Sequence, residues 1–186
     1  DRFLFKVAVG HPSPADELEI VRRMGVEPPV AAERLGRDDL VRLQRAACEA
    51  VYVDPGVLRY AVDLVSATRD PARHGLADLA PFVDGGVSSR ATLGLVAAAR
   101  ALALLRRRHF ALPQDVYDVA PEVLTHRLAV TYDALAAGVE PAHVVARILA
   151  TVTAPRITPT QDATARALPP VPWPTAPAGP RLVWSA

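Results

Sequence analysis

Arg90 lies in Gly85-Gly86-Val87-Ser88-Ser89-Arg90-Ala91-Thr92, where two glycines and two cap-competent serines lead into a long apolar stretch that reads as a helix. A guanidinium in the first turn meets the positive end of the helix dipole and a cluster of backbone N–H groups that lack intrahelical acceptors. That combination is unfavourable unless an anion joins it, and backbone N–H groups with a planar cation suit a phosphate. The competing reading is a first-turn arginine that extends into water, as long charged side chains usually do.

Arg2 is a second candidate by position. It opens Asp1-Arg2-Phe3-Leu4-Phe5-Lys6-Val7-Ala8-Val9-Gly10, an apolar run that begins almost at the first residue and reads as a strand over 3–9. A strand needs neighbours for its backbone groups, so the expectation is that this one belongs to a sheet outside the given sequence.

Other reactive types carry less. Lys6, the only lysine among 21 basic residues, sits between Phe5 and Val7, so no Gly-Lys-Ser/Thr phosphate loop exists here. The histidines at 11, 74, 109, 126 and 143 lack metal-ligand spacing, and no cysteine pair accompanies them. Cys48 cannot form an internal disulfide and reads as a small core residue of a helix. Arg106-Arg107-Arg108-His109 ends a helical run, where cations complement the dipole. A net charge of +1 gives no global electrostatic case for nucleic acid. No uncharged apolar stretch reaches the roughly 18 residues that span a bilayer, so a cytoplasmic protein is expected.

The elements that must hold these arginines read as mainly helical. Ser13 followed by Pro14, Asp16 and Glu17 starts a helix that runs to about Met24, and Glu27-Pro28-Pro29 breaks it. Asp38-Asp39 opens a second, with Leu40, Leu43, Ala47 and Ala50 on one face, and Val51-Tyr52-Val53 is an extended link. Asp54-Pro55 opens a third, ending near Arg69, with Val57, Tyr60, Ala61, Leu64 and Val65 at helical spacing. Residues 70–87 hold Pro71, Gly75, Pro81, Gly85 and Gly86 and read as a long loop that delivers Arg90. The helix from Ser89 to about Arg107 is apolar nearly all round, which implies burial. Pro113 with Asp115 starts a helix to Leu124, 126–130 is a short strand, and Pro141 starts a last helix to about Ala150. From Thr151 the chain holds eight of its 18 prolines and both tryptophans, Trp173 and Trp184, and reads as a flexible tail.

Taken in order, Asp1-Arg2-Phe3-Leu4-Phe5-Lys6-Val7, Pro12-Ser13-Pro14, Gly86-Val87-Ser88-Ser89-Arg90-Ala91, Ala99-Arg100-Ala101-Leu102, Leu112-Pro113-Gln114-Asp115-Val116 and Val123-Leu124-Thr125-His126-Arg127-Leu128 resemble the C-terminal part of MoxR-type AAA+ ATPases. The likeness covers about residues 1–150. It implies that 1–10 is the final strand of an α/β nucleotide-binding core absent from this sequence and that 11–150 is the helical AAA+ lid; the Pro-rich tail, 151–186, lies outside the likeness. It also implies roles. Arg90 resembles the sensor 2 arginine that reaches the terminal phosphates of ATP in its own subunit, and Arg2 the arginine finger offered to a neighbour's nucleotide.

The resemblance implies ATP and Mg²⁺ in the parent protein, with the Mg²⁺ ligands outside this chain. It further implies a ring, expected to be a hexamer, that remodels client proteins with von Willebrand factor A type partners. The family motif commonly carries Gly-Ala-Ser-Pro-Arg; here Ser89 replaces its proline. Two other classes stand against this reading: a stand-alone helical interaction module without a nucleotide role, and a helical DNA-binding domain.

Overall fold

The computed structural model describes residues 2–25 and 35–156. The Glu27-Pro28-Pro29 break and most of the Pro-rich tail, 157–186, lie outside the described residues.

Helix α1, Pro14–Met24, starts as its sequence requires: the Ser13 hydroxyl accepts from the Asp16 N–H at 3.2 Å, and the Asp16 carboxylate accepts from the Ser13 N–H at 3.3 Å. No residue of α1 is buried. Helix α2 spans Arg37–Glu49, with the Gly36 N–H donating to Asp39 at 3.2 Å. Its Leu43 and Ala47 pack against the core, whereas Leu40 remains 51% exposed. Cys48 is exposed, correcting its reading as a core residue. One step past Ala47 turns the side chain about 100° away from the packed face.

A short strand β1, Tyr52–Val53, leads into α3, Pro55–Arg69, which Asp54 caps by accepting from the Gly56 N–H at 2.7 Å. The expected loop is more structured than its prolines and glycines suggest. It contains 3-10 turns at Pro71–His74 and Ala77–Phe82, then strand β2, Val83–Gly85. Buried Leu76 and Leu79 anchor it from within.

Helix α4, Ser89–Leu105, packs against α2 and α3 on the way to β3, Phe110–Ala111, which pairs in parallel with β1 in the register Tyr52 to Phe110. Helix α5, Pro113–Leu124, also packs on α4 and is followed by a 3-10 turn at Thr125–Arg127. Strand β4, Ala129–Val130, then pairs antiparallel with β2. Helix α6, Tyr132–Ala136, had no counterpart in the sequence reading; Thr131 caps it by accepting from the Ala134 N–H at 3.2 Å. Helix α7, Pro141–Thr151, closes the described chain.

Leu64, Leu95, Val116, Leu124, Val144 and Ile148, drawn from α3, α4, α5 and α7, are among the fully buried side chains of one core. The burial expected all round α4 is confined to one side. Ala91, Gly94, Leu95, Ala98, Ala99, Ala103 and Leu104 are buried, while Leu93 and Leu105 stand 71% and 68% exposed. Among the described residues no helix is long and apolar enough to cross a membrane.

The end of α4 departs from the simple dipole reading of Arg106–Arg108. The Arg108 N–H donates to Ala103 O at 2.9 Å and the Arg107 N–H to Leu104 O at 2.8 Å, the two bonds of a Schellman turn. Such a turn requires a left-handed residue, and Arg107 supplies it at φ 57°. A non-glycine residue is disfavoured there, so Arg107→Gly should stabilise the domain by about 0.5–1 kcal/mol. Thermal melting checks this; a lower Tm than the parent would contradict it.

Candidate functional site

The start of α4 is set by α3. The Thr68 hydroxyl, fully buried at the last turn of α3, donates to Val65 O at 2.7 Å and accepts from the Val87 N–H at 3.0 Å. Next to it, Arg69 Nε donates to Val87 O at 2.7 Å. Both polar backbone groups of Val87 are therefore taken by consecutive residues of one helix end, and its side chain is 2% exposed. Gly86 lies flat on the same helix end. A Cβ there would stand 2.5 Å from Arg69 Cα, too close for any other residue without movement of backbone.

Helix α4 follows at once, with Ser88 as its N-cap residue at φ −75°, ψ 169°. The Ser88 side chain makes no cap hydrogen bond; its carbonyl accepts from the Ala91 N–H at 2.9 Å. Arg90 falls in the exposed first turn. The first turns of α1, α2, α5 and α6 carry Asp16 and Glu17, Asp38 and Asp39, Asp115, and Asp133, respectively. Helix α4 has no acid there and carries a cation instead. Its first turn thus adds a positive charge at the positive end of the helix dipole.

The segment bearing Arg2 is held against the same helix. A Cβ on Gly94, one turn beyond Arg90, would come within 2.9 Å of Leu4 Cδ1, so the glycine lets residues 3–5 lie close to α4. His126 Nε2 meets Phe3 O at 3.1 Å, and Arg127 donates to Phe3 O, to Leu4 O at 3.1 Å and to Val123 O. The Lys6 N–H donates to Glu122 O at 3.0 Å. Since Phe3 O can only accept, His126 Nε2 carries the proton, leaving a buried Nδ1 without a hydrogen-bond partner. Burial pushes the Arg127 guanidinium below its ordinary range.

Within this chain the run 3–9 is unpaired with any described strand, as a strand whose sheet lies outside the given sequence would be. The Phe3 and Leu4 carbonyls are taken by His126 and Arg127, and Phe3, Val7 and Val9 remain 72%, 68% and 90% exposed. Arg2 is exposed beside the tethered stretch. The structure thus brings the two backbone segments together at Leu4 and Gly94, with each arginine projecting from its own segment. Sequence reading missed Thr68, Arg69 and Arg127. Thr68 did give a signal, since it falls four residues after Leu64 on the apolar stripe of α3, where a hydroxyl needs a partner.

The other candidates resolve into structure. Asp115 is fully buried and receives Arg108 at 2.6 and 2.8 Å, Arg106 at 2.8 Å and the Leu112 N–H at 2.8 Å, which ties the end of α4 to the start of α5. Burial pushes its carboxyl up, but the hydrogen bonds from Arg108 and Leu112, together with the two positive charges, bring it below the ordinary carboxylate range. His74 Nε2 lies 3.2 Å from Ser66 Oγ. Among the described residues no three His, Cys, Asp or Glu side chains gather as a metal would need.

The AAA lid domain family matches residues 77–148, a span that includes Arg90 and Arg127 but not Arg2. The chain is 50% identical to Chaperone MoxR1 of Mycobacterium tuberculosis over 157 residues, which cover 84% of this chain and 41% of that protein. It is 36% identical to Protein MoxR of Paracoccus denitrificans over 139 residues, covering 69% of this chain and 41% of that one. A solved Cytophaga hutchinsonii protein described as a "putative ATPase" superposes with a TM-score of 0.79 at 28% identity, over 83% of this chain and 47% of its own. The chain therefore spans less than half the length of these relatives. With the fold, the lid match and these likenesses in agreement, the chain belongs to the MoxR family of AAA+ ATPases and carries its lid domain.

Proposed function

We propose that this chain is the lid-bearing part of a ring-forming ATPase that remodels or assembles other proteins, with 1–10 continuing a nucleotide-binding core and 11–150 acting as the lid. The observation that carries this reading is the acid-free, cation-bearing start of α4, inside the span that matches the AAA lid family. Arg90 acts as sensor 2, touching the terminal phosphates of ATP in its own subunit, and Arg2 acts as the finger for the neighbouring subunit. When bound, Mg²⁺ would neutralise phosphate charge from the core side. The lid residues contribute guanidinium charge and position, which phosphoryl transfer chiefly requires. The ring is a hexamer in the cytoplasm, its partners are von Willebrand factor A type proteins and its clients are other proteins.

Calorimetric titration with ATP and Mg²⁺ tests the division of labour. The 186-residue chain, which has no Gly-Lys-Ser/Thr loop, should show no micromolar binding, whereas the full-length protein should bind and hydrolyse ATP. Micromolar binding to the isolated chain, or a full-length protein without ATPase activity, would overturn the reading.

A further inference from the structure

Helix α4 has no side-chain cap from Ser88, yet its entrance is fixed on every side by a different helix. Thr68 takes the N–H of Val87 and Arg69 takes its carbonyl; Gly86 rests on the Arg69 backbone, and the Val87 side chain is buried. Those bonds cross 18 and 19 residues of chain, so they are tertiary rather than part of a local turn. Between Val87 and Arg90 lie only Ser88, the N-cap of α4, and Ser89, the first residue of the helix. A shift at the end of α3 is therefore passed to the first turn of α4, which carries Arg90.

We infer that Thr68 and Arg69 are positioning residues for phosphate contact: they clamp Val87 so that α4 starts in one register and Arg90 is aimed at the nucleotide. This rests on the assignment of Arg90 to phosphate. Neither clamp residue touches nucleotide. Each acts through Val87, and Thr68 does so with a hydroxyl whose hydrogen is committed to Val65 O while its lone pair serves the Val87 N–H.

A double-mutant cycle in the full-length protein tests it, with kcat and KM for ATP measured for Thr68→Val and Thr68→Ser, each with Arg90 present and with Arg90→Ala. Thr68→Val keeps the shape and removes both bonds; it should lower kcat about tenfold with Arg90 present, as expected when the Val87 N–H loses its buried acceptor. Thr68→Ser should restore turnover to within about twofold, and the loss should vanish in the Arg90→Ala background because there is then no guanidinium to aim. An equal fractional loss in both backgrounds would show a merely structural role and overturn the proposal, as would full activity of Thr68→Val.

Where Thr68→Val fails to fold, Arg69→Met at its exposed position removes the bond to Val87 O and runs the same cycle. Unchanged turnover of Arg90→Ala alone would overturn the phosphate assignment and the aiming role with it. The clamp itself answers separately to hydrogen exchange: Thr68→Val should speed exchange of the Val87 amide at least about tenfold. Unchanged exchange there would show that no clamp exists.

Discussion

In the full-length protein, Arg2→Ala should reduce ATP turnover by about 10³ to 10⁵, the range that finger arginines contribute to phosphoryl transfer. Arg2 follows from the tether beside it. His126 and Arg127 hold the Phe3 carbonyl, so the backbone next to Arg2 is fixed to the lid while its side chain is exposed toward whatever lies beyond. A finger that serves a neighbour makes the defect transferable. Mixing Arg2→Ala subunits into wild-type rings should depress activity more steeply than the wild-type fraction falls, with ring assembly unchanged by sizing. A loss below tenfold, or activity strictly proportional to wild-type content, would remove Arg2 from the catalytic machinery.

Asp115→Ala should cost the lid about 3–5 kcal/mol, because it strips the shared carboxylate from Arg106 and from Arg108, whose side chain is only 21% exposed. Arg106 retains Asp118 at 2.6 Å and stays 42% exposed, so most of the cost falls on Arg108 and on the orphaned Leu112 N–H. Set against a typical total stability of about 5–15 kcal/mol, this is large. Denaturant unfolding measures it, and a change under about 1 kcal/mol would contradict the account.

The same carboxylate fixes the sign of a pH dependence. Its folded pKa is depressed, so its contribution is complete above the unfolded carboxylate value of about 3.9 and is lost as pH falls through the lower folded value. Acid titration of stability should therefore flatten below pH 4 in Asp115→Asn relative to the parent.

The helices were legible because their ends are written locally. Ser13-Pro14, Asp54-Pro55 and Pro113 with Asp115 each place a fixed φ or a capping acceptor where a helix begins, and α1, α3 and α5 begin there. Helix α6 was not legible, since five residues give too little periodicity and only Thr131 marks its start. The apolar alternation of 3–9 was a real signal for a strand, but a strand is a property of pairs. In this chain Arg127, more than a hundred residues away, holds the Phe3 and Leu4 carbonyls, and any strand partners would lie outside the given sequence.

The site divides in the same way. Arg90 could be found because it puts a cation in a first turn that holds no acid, whereas the first turns of α1, α2, α5 and α6 hold acids. The Thr68–Val87 and Arg69–Val87 bonds could not, because nothing in either segment names the other. Arg106 and Arg108 illustrate the cost of a purely local reading: their position at a helix end agrees with the dipole, yet the partner that matters is Asp115 on the next helix.

The most direct test of the account is Arg90→Ala in the full-length protein, with steady-state ATP hydrolysis and melting temperature measured on the same sample. Loss of a charge-assisted phosphate contact of about 1.5–3 kcal/mol predicts a roughly ten- to hundredfold fall in turnover. The lid should stay folded, since Arg90 lies in the exposed first turn of α4 and not in the core. Hydrolysis at the wild-type rate would contradict the assignment of Arg90 to phosphate.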